Sequence, residues 1–136
     1  MTTQEKIATG VAWLTGLGIA AIGTRFLLQP EASAAGYGAA APTSGDPYLA
    51  VKGVRDIGSG LILLSLLSTG QHRAVGATLL AASVIPAGDA AIVLAHGGPA
   101  ATAYGVHGGT AAAMVAAAAV ILRRTRPAAF ARAALT

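Results

Sequence analysis

The chain contains no cysteine and very little charge, and both absences exclude whole classes of protein. Without cysteine it has no disulfide framework, no cysteine metal site and no cysteine nucleophile. Charged residues make up 10% of its 136 residues, whereas a soluble domain carries about 25%. Aromatic residues are 4%, so the 54% hydrophobic content consists mainly of alanine, leucine, valine and isoleucine. A chain this apolar is not disordered, and its natural solvent is a lipid bilayer.

Four apolar segments are long enough to cross a bilayer, which takes about 20 mostly apolar residues. They cover residues 7–28, 48–69, 74–95 and 101–122. A loop rich in glycine, alanine, serine and proline, at about residues 30–47, separates the first two segments, and short turns separate the others. The sequence therefore predicts one all-α domain over residues 1–136, an integral membrane four-helix bundle whose basic cytoplasmic tail covers 123–136.

Two other interpretations fit less well. Lys6 precedes the first apolar stretch, and Ala32-Ser33-Ala34 matches the cleavage pattern of a signal peptide. That stretch is too long for a signal peptide, however, and it contains Arg25. A soluble helical bundle would need helices with a polar face, which these segments lack.

The distribution of basic residues predicts the orientation in the membrane. With four spans, the side that carries both termini holds six basic residues and the opposite side holds three. The first set is Lys6, Arg73, Arg123, Arg124, Arg126 and Arg132, and the second is Arg25, Lys52 and Arg55. The positive-inside bias therefore predicts cytoplasmic termini in the cell (inner) membrane. Aromatic residues do not interleave with the basic ones, so the net charge of +4 predicts no nucleic-acid partner.

The polar residues of the four spans fall at one depth. Because successive spans run in opposite directions, these residues all lie in the outer half of the bilayer, and the inner half is almost entirely apolar. They are Arg25, Tyr48, Lys52, Arg55, Asp56, Ser59, Asp89, His96, Tyr104 and His107. Charged groups inside a membrane are costly and face the interior of a bundle. The sequence therefore predicts a shared polar pocket that opens outward.

Two aspartates are the candidates for catalysis. We expect Asp56 or Asp89 to act as proton donor or base while Arg55 holds the other carboxylate, and we expect Asp89 to pair with Arg55 or Lys52. The remaining polar residues are predicted to bind the substrate: Arg25, Tyr48, Lys52, Ser59, His96, Tyr104 and His107.

Simpler explanations exist for the same residues. The acids and bases could form an ion pair that only fixes helix packing, Lys52 could reach the headgroups, and His96 could cap a helix C-terminus. No short metal-binding spacing such as H-E-x-x-H is present, so neither a metal nor another cofactor is predicted. Gly105-x-x-x-Gly109 fits either an internal helix contact or a homodimer.

The polar pocket favours a membrane enzyme that performs acid–base chemistry on a lipophilic small molecule. Isomerisation, cyclisation and ring opening are reactions of this kind, and a buried cluster of titratable groups shifts pKa values in the way they require. Two other functions fit the same residues. One is a non-catalytic binding or transport protein, and the other is a structural or accessory membrane subunit.

Several segments resemble a known family of small membrane proteins. They are the run Tyr48–Asp56, the turn Gly70-Gln71-His72-Arg73, the segment Pro86-Ala87-Gly88-Asp89-Ala90, and the earlier segments Arg25–Pro30 and Tyr37-Gly38. Together they resemble the family called domain of unknown function 4267, over roughly Gly10 to Leu122. The resemblance implies four membrane helices and no particular reaction.

Overall fold

The structure, a computed structural model, describes residues 1–38 and 46–125. This part of the chain is helical and contains no strand, which confirms the predicted all-α class. Its elements are α1 Thr3–Leu28, α2 Pro30–Tyr37, α3 Pro47–Ser68, α4 His72–Ala82, α5 Val84–Ala95, a π-helical segment Thr102–Gly108 and α6 Gly109–Arg124. Two predicted features, the middle of the loop at 39–45 and the tail from residue 126 onward, lie outside the described residues.

Three helical stretches are long and apolar enough to cross a membrane: Thr3–Leu28, His72–Ala95 and Thr102–Arg124. The first begins at Thr3 rather than at residue 7 because Thr2 and Glu5 form a capping box. α3 is 22 residues long, and its charged residues Lys52, Arg55 and Asp56 lie inside the helix. The position of these charges distinguishes α3 from α1, whose charged residues lie near its two ends.

Large apolar side chains are exposed on the helices described. Examples are Leu14 and Leu17 on α1, Leu61 and Ile62 on α3, Leu80 on α4, Ile85 and Ile92 on α5, and Val115 on α6. An apolar surface spread over so many helices is typical of a protein that lies in a membrane.

α1 and α3 approach closely at two glycine contacts. A Cβ atom on Gly23 would lie 2.5 Å from the carbonyl oxygen of Gly53, and one on Gly60 would lie 2.6 Å from that of Gly16. Because the obstructing atoms are backbone, neither Gly23 nor Gly60 has room for a side chain. Small residues allow membrane helices to pack this closely. The contact at Gly23 brings the end of α1 beside the charged first half of α3.

The main apolar core lies toward the end of the molecule where α1 begins and α6 ends. It is built from α1, α3, α4 and α6, and its members are Ala8, Ala12, Leu63, Leu67, Val75, Leu79, Met114, Ala117, Ala118 and Ile121. Two polar contacts close this end. Glu5 Oε1 lies 3.5 Å from Arg124 Nε, and the Arg73 guanidinium donates a hydrogen bond of 3.3 Å to the carbonyl of Thr125.

Two irregularities interrupt the helices farther along the chain. The predicted third span is broken at Ser83, between α4 and α5. Pro86 explains this break because it has no amide hydrogen to donate to the Ala82 carbonyl, and its ring crowds that carbonyl. The predicted fourth span, at residues 101–122, begins with the π-helical segment Thr102–Gly108. A π-helical turn adds a residue to the helical repeat and often occurs at functional sites.

Candidate functional site

A cavity of about 390 Å³ lies among the helices. Apolar side chains line one part of it: Ile19, Ile22, Ile62, Leu63, Leu79, Ala82, Ile85 and Met114. Polar side chains line another part: Arg25, Ser33, Tyr37, Lys52, Asp56, Ser59, Asp89 and His107. Sites for small molecules are mostly apolar, occupy about 300–1,000 Å³ and contain a few convergent polar groups. This cavity has both the size and the composition of such a site.

Lys52 is the centre of one half of the polar cluster. Its Nζ atom donates to Asp56 Oδ2 at 2.6 Å, one turn further along α3. The same ammonium lies 4.8 Å from the ring centre of Phe26 and 5.0 Å from that of Tyr37. A cation is attracted to an aromatic face at these distances. Lys52 is therefore held by one carboxylate and two rings, and its charge is already balanced by Asp56.

Tyr37, Asp89 and His107 form the other half of the cluster. The Asp89 carboxylate lies close to the Tyr37 hydroxyl and raises the pKa of the phenol. His107 Nε2 lies 3.0 Å from the carbonyl oxygen of Tyr37, and His107 Nδ1 lies 4.0 Å from Asp89 Oδ2. The Tyr37 and His107 rings pack edge to face, with 4.8 Å between their centres. One tyrosine thus contacts both the acid and the histidine.

The contact between His107 and the Tyr37 carbonyl fixes one proton of the imidazole ring. A carbonyl oxygen only accepts, so His107 Nε2 must carry a hydrogen and donate it. Nδ1 then faces the Asp89 carboxylate. At 4.0 Å the two side chains are close enough for an electrostatic interaction but do not form a hydrogen bond.

Tyr37 lies on α2, outside the long apolar helices, and its hydroxyl is held in the neutral form. Burial raises the pKa of Tyr37, and the nearby negative charges of Asp89 and Asp56 raise it further. The phenol therefore keeps its proton at neutral pH and acts as a hydrogen-bond donor.

Close backbone contacts place Tyr37 beside His107. Gly38 ends α2 with φ of 92°, a conformation that favours glycine. A Cβ atom on Gly98 would collide with the carbonyl oxygen of Gly38. The end of α2 therefore packs directly against the turn after α5, and the π-helical segment that follows this turn carries His107.

Six of the ten predicted site residues line the cavity: Arg25, Lys52, Asp56, Ser59, Asp89 and His107. The other four do not line it and are exposed: Tyr48, Arg55, His96 and Tyr104. His96 Nδ1 lies 2.9 Å from the carbonyl oxygen of Ile92 in its own helix, an interaction typical of a helix C-terminus.

The ion pairing differs from the prediction. Asp89 was expected to pair with Arg55 or Lys52, but Lys52 pairs with Asp56, and Asp89 contacts Tyr37 and His107. Helix geometry explains why Arg55 does not face the cavity, because adjacent residues of an α-helix point about 100° apart. With Asp56 facing the cavity, Arg55 points to the exposed side of α3.

The cavity residues that the sequence interpretation missed include Phe26, Ser33 and Tyr37. Phe26 was counted as part of an apolar span, and Ser33 and Tyr37 were assigned to a loop. The i, i+4 spacing of Ser33 and Tyr37 was an available signal, because it places both hydroxyls on one face of a short helix. Among the described residues, no group of three or more His, Asp or Glu side chains is arranged to hold a metal ion.

Comparison with known proteins identifies the family but no activity. The profile of the family described as "Domain of unknown function (DUF4267)" matches residues 16–121. No curated protein and no solved structure shows significant similarity to the chain. Because the match covers most of its length, the chain belongs to the DUF4267 family.

Proposed function

With membership of this family as the premise, we propose that the chain is a membrane enzyme that transfers protons on a lipophilic small molecule. Isomerisation, cyclisation and ring opening are reactions of this class, and none of them needs an external oxidant. The observation that carries the proposal is the cavity of about 390 Å³, whose wall is mostly apolar and whose polar part combines two carboxylates, a histidine and a tyrosine. Titratable groups clustered in a low-dielectric pocket are typical of acid–base sites.

We infer that α3 is a fourth membrane span, in addition to the three apolar stretches. It packs along α1 through the glycine contacts, and Lys52 and Asp56 neutralise each other at 2.6 Å while lining the cavity. A charge pair turned inward lowers the cost of placing α3 in a bilayer. Four spans put both termini on one side, and the basic residues there favour the cytoplasm.

This orientation can be tested by cysteine labelling, because the chain contains no cysteine. Gln71 and Ala100 are exposed and flank the stretch His72–Ala95 at its two opposite ends. A Gln71→Cys variant should react with a membrane-impermeant reagent only from the cytoplasmic side, and an Ala100→Cys variant only from the opposite side. The reverse pattern would invert the proposed topology, and labelling of both from one side would remove a span.

Asp89 is the residue we assign to proton transfer. In an isomerisation, its carboxylate removes a proton from a substrate carbon, Tyr37 donates a hydrogen bond to the substrate oxygen on which charge develops, and the proton returns to a different carbon. One C–H bond of the substrate breaks and another forms, so the substrate and the product have the same overall oxidation state. His107 can accept the proton from Asp89. Asp56, neutralised by Lys52, has an electrostatic role.

A non-catalytic binding or transport protein is the second candidate. It is favoured by the Lys52–Asp56 pair, which already balances the charge of both groups and leaves Asp56 a poor base. In this case the cavity would bind the same lipophilic molecule and release it unchanged.

Binding of a lipophilic compound in the cavity is tested by substituting two neighbouring alanines with leucine. Ala82 lines the cavity, whereas Ala81 is exposed. The wild type, Ala82→Leu and Ala81→Leu proteins would be purified in parallel, and their bound lipophilic compounds extracted and compared by mass spectrometry. We expect a compound in the wild type and in Ala81→Leu that is lost from Ala82→Leu. Equal extracts from all three proteins would contradict binding in this cavity.

Proton transfer is then tested on the recovered compound. Incubation with the wild-type protein in D2O should exchange hydrogen for deuterium and raise the mass of the compound. A compound that is bound but never exchanged would favour the second candidate.

A further inference from the structure

Ser33 is a buried polar residue without a partner in the part of the chain that the structure describes. The residue is 8% exposed, and its Oγ atom makes no hydrogen bond there. An unsatisfied buried hydroxyl costs free energy, so such a group calls for an explanation. Ser33 lines the cavity, and a ligand atom inside the cavity would supply the missing partner.

Ser33 and Tyr37 form a pair of hydroxyl donors on α2. They are four residues apart in one helix, a spacing that places their side chains on the same face. Both line the cavity. The Tyr37 ring is held in place by Phe26 and His107, at centre distances of 6.3 and 4.8 Å. α2 therefore presents two hydroxyl groups from a fixed position.

The charges around these hydroxyls argue against an ionic ligand. Lys52 is engaged by Asp56 at 2.6 Å, and Asp89 by Tyr37 and His107. An anion placed between them would meet two carboxylates, and a cation would meet the Lys52 ammonium. The remaining charged residue of the lining, Arg25, is exposed. Transferring an ionic group to the buried hydroxyls would cost its hydration, with only this exposed guanidinium as a possible counter-charge.

We propose that Ser33 and Tyr37 form a head-group site for one carbonyl oxygen of an uncharged lipophilic molecule, whose apolar body lies against Leu63, Leu79 and Met114. This rests on the proposed function and names the substrate class of the same cavity. A carbonyl oxygen has two lone pairs and accepts two hydrogen bonds. The two hydroxyls of α2 match that number.

Met114 provides the reporter. The chain has two methionines. Met114 lines the cavity and is 1% exposed, and Met1 is 61% exposed. A ¹³C-methyl-methionine NMR spectrum therefore contains one signal from the cavity and one internal control. The protein would be reconstituted in nanodiscs of ether-linked phosphatidylcholine, which contain no ester carbonyl, and titrated with three compounds of equal carbon number: methyl nonyl ketone, undecanoate and undecylammonium.

We expect the ketone to shift the Met114 signal saturably and to leave the Met1 signal unchanged. The two charged compounds should require at least about tenfold higher concentrations, since a tenfold difference in affinity is a modest desolvation penalty. If undecanoate or undecylammonium saturates the Met114 shift at the same or a lower concentration than the ketone, the head-group proposal is overturned while lipophile binding stands. If no compound moves Met114, the cavity does not bind lipophiles and the proposed function fails with it.

Two variants separate binding from folding. Ser33→Ala removes a hydroxyl that has no partner among the described residues, so it should leave thermal stability unchanged or raise it, while weakening ketone binding about threefold to tenfold. Tyr37→Phe should weaken binding by a similar factor. The controls are Ser65→Ala and Tyr104→Phe, which change exposed hydroxyl residues outside the cavity lining. Ketone binding by Ser33→Ala that equals the wild type would contradict the proposal.

The carbonyl could belong to a free lipophile or to the ester of a bilayer lipid. Repeating the titration in ester-linked phosphatidylcholine distinguishes them. An unchanged ketone affinity assigns the site to a free molecule, and a reduced affinity assigns it to a competing lipid ester. Both results retain the carbonyl site on α2.

Discussion

The two ends of this molecule are built in different ways. Where α1 begins and α6 ends, the interior consists of packed aliphatic side chains, with Val75 and Ala118 fully buried. At the other end, the interior consists of a cavity bordered by charged and hydroxyl groups, with Phe26, Ala34 and Leu49 as a small separate cluster. Under the proposed function, the apolar end stabilises the fold and the polar end binds and converts the substrate.

The strongest test of this division is a substitution in the apolar end. Leu67→Ala removes a buried core side chain that does not line the cavity, and we expect a loss of about 2–5 kcal/mol in the free energy of unfolding. Leu61 on the same helix is 54% exposed, and Leu61→Ala should change stability by no more than about 0.5 kcal/mol. Chemical unfolding in mixed micelles measures both. Equal effects of the two variants would contradict the assignment of the core to this end.

A second test concerns the glycine contact that connects the two ends. Gly23→Ala forces a methyl group against the backbone of α3, and we expect it to cost about 1–3 kcal/mol. Gly18→Ala on the same helix meets no atom within 4 Å and should be neutral or stabilising by up to about 1 kcal/mol. The same unfolding assay compares them. A Gly23→Ala protein as stable as Gly18→Ala would show that α1 and α3 are farther apart.

The smallest expected effect is a pH dependence at the polar end. Because the pKa of Tyr37 is raised in the folded protein, its contribution is fully present below the ordinary tyrosine pKa of about 10. As the pH rises above that value, the unfolded chain loses the proton first, so stability falls. Tyr37→Phe should therefore show a shallower decline in stability above about pH 10 than the wild type. Parallel curves from thermal unfolding would remove Tyr37 from the buried network.

The sequence predicted which polar residues come together better than it predicted their partners. The order of the spans placed Lys52, Asp56, Asp89 and His107 at one depth, and these four residues line one cavity. Pairing depends on helix rotation and on insertions that a span count does not contain. The π-helical segment changes the rotation of His107, and α2 inserts Tyr37 between the spans.

Arg55 and Tyr37 show the same limit of the sequence interpretation. Arg55 was predicted to belong to the site and does not line the cavity, whereas Tyr37 lines the cavity and was not predicted. Arg55 was favoured because it is charged and adjacent to Asp56, yet adjacency in a helix separates side chains by about 100°. Tyr37 fell within the predicted loop at about residues 30–47, because nothing in a Gly- and Ala-rich segment indicates which residues pack inward. The turn at Gly38 and the close contact at Gly98 determine that packing, and both are properties of the tertiary structure.

The division between the two ends is tested most directly by Asp89→Asn, measured for stability and for proton transfer on the same sample. Asparagine keeps a hydrogen-bond acceptor beside Tyr37, so we expect a loss of only about 1 kcal/mol in the free energy of unfolding. Without the carboxylate, deuterium exchange from D2O into the compound recovered from the cavity should fall to the background rate of the protein-free reaction. A variant that exchanges deuterium at the wild-type rate would contradict the account, and so would one that loses both stability and exchange while Leu67→Ala loses neither.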